Sequence, residues 1–515
     1  MTTRSRQGCD ECRRRRRKCG EQKPCCGQCL SFNRTCKYTL RVVSVWAPQQ
    51  EEHKINSSQG VLLQRHWNED RLDTPHRLPN GIPLSSRYQS LLHHFTQDIL
   101  ASLSCHPLVH RDLRQGLLPA TLESPQLMSA CLALSAAGFL SRGVTSLDGV
   151  DIKKILSHLQ SSGLGLLRAA LQATRFPQAM NETLLATCLI WCLTDVFTYN
   201  RSETEGKATS SWRIHLQGIQ ALLDTNDQSN DSATLMTKTS RNHGSNMHMA
   251  MGHLHQLYLS LQTLPYIPQS LAPERKTRLK PLGFEHQSPV SNTSPAIDGF
   301  LGYSDELLYM LHQINQLAKA IHPPPDGHTP PCSHSEADIL LGKVKAMIIR
   351  DSKATPPVTL SSSSTHTSSH TSSQHLQEYA LCHRIFQQAT LIQLYRQLYH
   401  RPSSSPEIQS AFAQMVLLFS QMEATSNSAA EPCHTWVAMA MPLFTLGCEA
   451  VSQDQRNFVL SKIDGLEECI RSSHVRTIRQ ALKDVWDLRP KMGDDEGNLC
   501  AGELLEKLDY NIILF

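Results

Sequence analysis

From residue 86 onward the apolar positions repeat at helical spacing. Tyr88, Leu91, Leu92, Phe95, Ile99 and Leu103 fall on one face, with Ser85 or Ser86 placed to cap it. Ser124-Pro125 joins an N-cap residue to a first-turn proline and predicts a helix that Gly143 ends. The run ETLLATCLIWCLTDVF (182–197) is apolar nearly all round, as a buried helix is, and SWRIHLQGIQALL (211–223) follows it. Strand-type alternation is scarce. The pattern predicts a large all-α domain over 86–515, with disordered insertions near 225–252 (Asn, Ser, Thr, His and Met), 264–299 and 322–334 (prolines) and 354–375 (Ser, Thr and His). His366 and His370 stand at H-x3-H spacing in the last of these, where no helix is predicted to hold them as a metal pair.

The first 85 residues have a different texture. Residues 1–40 hold 11 Lys/Arg against 3 Asp/Glu, a balance of +8. The whole chain of 515 residues carries only +4, so the remainder sums to −4. A basic head on a mildly acidic body is the asymmetry of a nucleic-acid-binding module joined to a regulatory domain. Pro48, Pro75, Pro79 and Pro83 interrupt the segment 41–85, and Ile55, Leu62 and Trp67 sustain no heptads. It reads as a linker without a zipper, which leaves monomeric binding and a homodimer formed through the large domain both open.

Seven of the 17 cysteines lie in the first 36 residues. Six of them, Cys9, Cys12, Cys19, Cys26, Cys29 and Cys36, form two C-x2-C pairs, each followed after six residues by a third cysteine. Six consecutive basic residues, Arg13 to Lys18, fill the gap between Cys12 and Cys19. A segment this short buries too little apolar surface to fold alone and needs a staple. Two zinc ions with four sulfur ligands each need eight positions. Six cysteines fill them only if two bridge both ions, so the count predicts a binuclear cluster. Cys25 rivals Cys26 for the fourth position, but choosing it would turn the second C-x2-C into C-x3-C and break the symmetry of the halves. Disulfides are the alternative for the set. The N-terminus has no apolar stretch of the secretory kind, which argues against them. Cys131, Cys188, Cys192 and Cys448 lie in apolar helical patterns and read as buried thiols.

The stretch CDECRRRRRKCGEQKPCCGQCLSFNRTC resembles the fungal Zn(II)2Cys6 binuclear-cluster family of transcription regulators in its 2-6-6-2-6 spacing, in Pro24 and in Lys37-Tyr38. The resemblance implies that Cys9 and Cys26 bridge, that Cys12 and Cys19 complete one zinc site, and that Cys29 and Cys36 complete the other. It also implies a short helix entering the major groove of double-stranded DNA at a CGG triplet. By position Arg15 and Arg16 are the base readers, since a guanidinium can take guanine O6 and N7 together. Arg13, Lys18, Gln7 and Lys23 fit phosphate contacts. Glu21 departs from the family pattern and forfeits one such contact. Three further segments, LLHHFTQDILASLSCHPLVHRDLRQGLLPATLESPQLMSACLALSAA, SSWRIHLQGIQALL and WVAMAMPLFTLGCEAVSQDQRNFVLSKIDGLEEC, resemble the fungal-specific transcription factor domain. The implied function is a nuclear, zinc-dependent regulator of genes transcribed by RNA polymerase II. It would engage the transcription machinery and serve one metabolic or secondary-metabolite gene cluster.

Two other classes are disfavoured. An enzyme lacks support, because there is no H-E-x-x-H, G-x-S-x-G or P-loop pattern, and Gly206-Lys207 lacks the flanking residues of the last. A zinc-knuckle RNA-binding or scaffold protein would present aromatics for base stacking, and only Phe32 and Tyr38 stand near the cysteines. No membrane partner is expected: the longest uncharged apolar stretch, around WVAMAMPLFTLGC, is too short to span a bilayer and holds Pro442.

Overall fold

The structure is a computed structural model. It describes residues 11–12, 15, 19, 26–32, 84–173, 182–198, 211–228, 245–263, 296–321, 334–359, 373–427, 434–489, 499–510 and 512. The chain separates into two units, one holding the N-terminal cysteines and the other residues 86–515. Each is described by itself.

Among the described residues of the small unit, a short helix, α1, spans Gly27–Ser31, and residues 11 and 12 are also helical. The large unit is helical, as the apolar spacing predicts. Its first helix, α2 (Ser86–His94), widens into a π-helical turn at Phe95–Ile99 and closes at Leu100–Ser102. The extra residue in that turn brings Leu91, Leu92, Phe95, Ile99 and Leu100 all to the interior. Hydroxyls serve the carbonyls around it: Ser135 donates to Leu91 at 2.6 Å and Thr96 to His93 at 3.0 Å. Asp98, on the π turn, accepts from His94 at 3.0 Å and from Arg142 at 3.1 Å. Burial pushes its carboxyl up, but His94 and the Arg142 guanidinium outweigh that and hold it down to about 2.

Helix α3 (Pro107–Glu123) is followed at once by α4 (Pro125–Ser141). Ser124 caps α4, its Oγ accepting from the Leu127 N–H at 3.3 Å, and Pro125 fills the first position, where its missing N–H costs nothing. Arg142 closes the helix and Gly143 follows with φ +79°, a conformation that glycine tolerates best. A two-residue hairpin, β1 (Ser146–Leu147) against β2 (Val150–Asp151), leads into α5 (Ile152–Ala173), and α6 (Glu182–Thr198) comes next. Helix α4 is buried on nearly every side because α2, α3, α5 and α6 all pack on it. At the point of closest approach, Gly163 of α5 faces Ser129 of α4 and Trp191 of α6. A Cβ there would lie 2.6 Å from the Trp191 ring and 2.8 Å from the Ser129 Cβ.

Helices α7 (Ser211–Gln228) and α8 (Ser245–Gln262) pack on α6 and α3 respectively. The rest of the unit gathers around α11 (Ser373–Gln397). Helices α9 (Asp305–Ile321), α10 (His334–Lys353), α12 (Pro406–Asn427) and α13 (Ala440–Cys448) pack on it. Helices α14 (Gln453–Ile470) and α15 (Ser473–Leu488) pack on α13, and α16 (Ala501–Lys507) on α15. A second strand pair joins β3 (Ile297–Asp298) to β4 (Val358–Thr359) in parallel, and Tyr379 of α11 donates to the Gly299 carbonyl at 2.8 Å.

Helix α11 buries polar residues as well as apolar ones, and each must find a partner. His383 and Gln387 meet the buried Asp351 at 3.0 and 2.7 Å. Arg396 and Glu449, both almost fully buried, pair at 3.2 Å. Arg396 also donates to the carbonyls of Arg401 and Leu499, and Ser403 donates to Glu449 at 2.5 Å.

The structure corrects the ends of the four segments expected to be disordered. Residues 225–228 and 245–252 are helical, 297–298 and 358–359 are strand, and residues 334 and 373 begin helices. Composition misled the 225–252 expectation, because Ala250 continues the buried stripe of Leu254, Leu257, Tyr258 and Leu261 despite its Asn, Ser and His neighbours. Residues 229–244, 264–295, 322–333 and 360–372, with His366, His370 and Gly206-Lys207, lie outside the described residues, as does 41–83 of the linker. The buried thiols are placed as expected. Burial pushes Cys131 up to about 12 and Cys188 up to about 11, and raises Cys192 and Cys448 strongly. No helix among the described residues is long and apolar enough to cross a membrane.

Two outcomes follow from this packing. Gly163→Ala should cost about 1–3 kcal/mol by overpacking. Gly165→Ala, two residues on and with nothing within 4 Å of its Cβ position, should be neutral or gain about 0.5–1 kcal/mol of helix propensity. Equal urea midpoints for the two variants would refute this account of the crossing. The Asp98 carboxyl, depressed in the folded state, should contribute stability that is complete above its unfolded value near 4 and is lost as pH falls toward about 2. The Asp98→Asn variant should be less stable at pH 6 and should lack that decline between pH 4 and 2 in thermal melts.

Candidate metal centre and nucleic-acid interface

The small unit is built on cysteines. Cys12, Cys19, Cys26 and Cys29 form its buried cluster, and none exposes more than 5% of its surface. Among the described residues no aliphatic side chain joins that cluster. The Sγ atoms of Cys12, Cys26 and Cys29 lie within 4.8 Å of one another. The Cys12 and Cys26 sulfurs are 3.7 Å apart. A disulfide would bring them to about 2.05 Å. Four sulfurs set tetrahedrally around one zinc at about 2.3 Å stand roughly 3.8 Å apart. The observed spacing is too long for a disulfide and suits thiolates sharing a metal.

Local structure explains how the second pair is presented. Cys26 is the N-cap of α1, and its sulfur accepts from the Cys29 N–H at 3.4 Å. C-x2-C spacing at a helix start thus points both sulfurs the same way. Burial opposes ionisation of Cys26. The Cys29 N–H and the thiols of Cys29, Cys12 and Cys19 outweigh that, so the thiol is held below its ordinary value. A site of buried, converging thiols, with Cys26 held below its ordinary value, fits zinc, and zinc would supply the cross-link that the segment lacks. Cys9, Cys36 and the rival Cys25 lie outside the described residues.

One of the expected base readers is described. Residues 11 and 12 are helical and Arg15 sits in the turn that follows, its N–H donating to the Glu11 carbonyl at 3.1 Å. The Arg15 side chain is 45% exposed, and its Nε donates to Glu11 Oε1 at 2.7 Å. Glu11 was not among the residues singled out from the sequence. The signal that could have found it is the Glu-to-Arg i,i+4 spacing on a helix. Arg13, Arg16, Lys18, Gln7 and Lys23 lie outside the described residues. Leu30 and Phe32 stand exposed at the end of α1.

A thiol-built site and a helical body, in that order along the chain, are the two parts that comparison with known proteins identifies. Residues 7–42 match the fungal Zn(2)-Cys(6) binuclear cluster domain, which binds two zinc ions, and residues 90–515 match the fungal specific transcription factor domain. The second match covers most of the chain, and the chain belongs to this family of fungal transcription factors. It is also similar to the lysine biosynthesis regulatory protein LYS14 of Saccharomyces cerevisiae, with 44% identity over 57 residues, or 11% of this chain and 6% of that protein. No solved structure matches the chain.

The full chain should carry two zinc ions, measured by elemental analysis against protein concentration. Stripping them with a chelator should abolish DNA binding while leaving most of the helical circular dichroism in place, since no residue of the cysteine cluster belongs to the helices of the large unit.

Proposed function

We propose that the chain binds promoters of RNA polymerase II genes in the nucleus at CGG-type triplets and regulates the genes of one metabolic pathway. Residues 1–40 act as the DNA-binding domain, 41–85 as a linker and 86–515 as the regulatory body. Cys9, Cys12, Cys19, Cys26, Cys29 and Cys36 hold the two zinc ions, with Cys9 and Cys26 bridging them. Arg15 and Arg16 read bases, while Arg13, Lys18, Gln7 and Lys23 fix the module on phosphates. The observation that carries this reading is Arg15: an exposed guanidinium one helical turn from a buried thiol cluster, in a run of six cations. A tether so short keeps Arg15 close to the cluster. The named relative, a biosynthesis regulator, supports a metabolic role; a 57-residue likeness names no pathway for this chain.

Gel-shift titration of the zinc-loaded full chain against a CGG duplex, a scrambled duplex and single-stranded RNA tests the reading. The CGG duplex should bind most tightly, and equal affinity for all three would sink it. Arg16→Ala should relax triplet preference by about 1–3 kcal/mol. Arg13→Ala should weaken every duplex alike and lower the salt slope by about one. Uniform loss in both variants would refute the assignment of Arg16 to a base.

A further inference from the structure

The geometry points to Glu11 as a specificity-determining residue that positions Arg15 for base readout. The inference rests on the reading of Arg15 proposed above. A guanidinium has two faces for recognition: the side edge, with Nε and one amino group, and the end, with Nη1 and Nη2. Glu11 Oε1 takes the Nε proton at 2.7 Å. The side edge is thereby committed to the protein, and the terminal Nη pair is the fork left at the tip. That pair matches guanine O6 and N7.

Three features of the contact make it a device for aiming a side chain. Glu11 adjoins Cys12, which is buried in the thiol cluster, so the carboxylate stands next to an anchored point of the chain. The Arg15 N–H bond to the Glu11 carbonyl at 3.1 Å fixes the i,i+4 spacing, with the acid on the N-terminal side, the favourable order. Arg15 remains 45% exposed while Glu11 is only 20% exposed, so the arginine extends past its anchor toward solvent. An arginine held this way has already lost much of the rotamer freedom that binding would otherwise remove.

The carboxylate has an opposite effect on affinity. A negative charge beside six consecutive cations weakens attraction to every phosphate backbone, whatever the sequence. Glu11 therefore lowers non-specific binding and sharpens specific binding together. A residue that merely stabilised the turn at Arg15 would not change the ratio of specific to non-specific affinity through that side chain.

Two substitutions separate charge from grip. Glu11→Gln and Glu11→Ala remove the same charge, but only glutamine keeps a carbonyl that can reach Arg15 Nε. The test uses the full chain loaded with zinc, its metal content measured for every variant. The readout is the ratio of affinities for a CGG duplex and a scrambled duplex at fixed salt. Both variants should bind the scrambled duplex more tightly than the parent, and by similar factors. The ratio should fall roughly twofold to fivefold in Glu11→Ala and by less in Glu11→Gln. In an Arg15→Ala background, Glu11→Gln should leave the ratio unchanged, because its effect runs through Arg15. An unaltered ratio in Glu11→Ala, equal falls in the two variants, or a further fall in the Arg15→Ala background would each overturn the inference. Arg15→Ala alone distinguishes the two levels. If it lowers the ratio while Glu11→Ala does not, Arg15 still reads a base and only the role of Glu11 fails. If Arg15→Ala leaves the ratio intact, the base-reading assignment itself fails.

Discussion

The N-terminal module depends on converging thiols. A segment of forty residues with a charge of +8 repels itself and has almost nothing apolar to collapse around. Its buried cluster consists of cysteines, with Cys12 and Cys26 sulfurs at 3.7 Å, an edge length that suits a tetrahedral zinc site. Two zinc ions and six thiolates carry a formal charge of −2, which offsets part of the basic excess where it is densest. The metal thus supplies a covalent-strength core and some electrostatic relief. The cysteines on either side of the basic run, Cys12 and Cys19, both belong to that core.

The helical body solves a different problem. Its interior is large enough to close-pack, but α11 brings Glu378, His383, Gln387, Gln393 and Arg396 inside with its apolar residues. Buried polar groups cost several kcal/mol unless partnered. The Arg396–Glu449 pair shows how the fold answers: one guanidinium reaches Glu449 and the carbonyls of Arg401 and Leu499, tying α11 to the end of α13 and to the segment before α16. Replacing such a pair with hydrocarbon is often neutral or stabilising, whereas removing one partner is costly. Its contribution here is to join segments far apart in sequence in one register.

What the sequence revealed follows the range of the interactions involved. Ser124-Pro125 and Gly143 act locally, and the helix they bracket is where their chemistry puts it. The apolar run at 182–197 has no polar face to orient, and it is buried all round. The cysteine spacing is also local, which is why the cluster was legible. Three features were not. The π turn at 95–99 answers to helices packed against it, and no periodicity announces it. The β3–β4 pair joins residues some sixty positions apart. The start of α8 at Ser245 lies in a polar stretch whose buried stripe begins only at Ala250. In the site itself, Glu11 announces itself only by its i,i+4 spacing to Arg15, a weak signal beside the six cations of 13–18.

That acid matters to how a short basic run can carry information. Cations alone give affinity for any nucleic acid, and the counterions they release reward number over arrangement. Sequence discrimination needs the reverse: few contacts, held in fixed directions, each losing much when the base is wrong. Six adjacent cations would drift toward the first behaviour if their side chains were unrestrained. The run is bracketed by two buried cysteines, Cys12 and Cys19. Anchoring Arg15 through Nε to Glu11 fixes where one guanidinium points. On this view the run divides into residues that hold the duplex and residues that interrogate it, and the division is set by what each side chain is tied to, since their charges are the same.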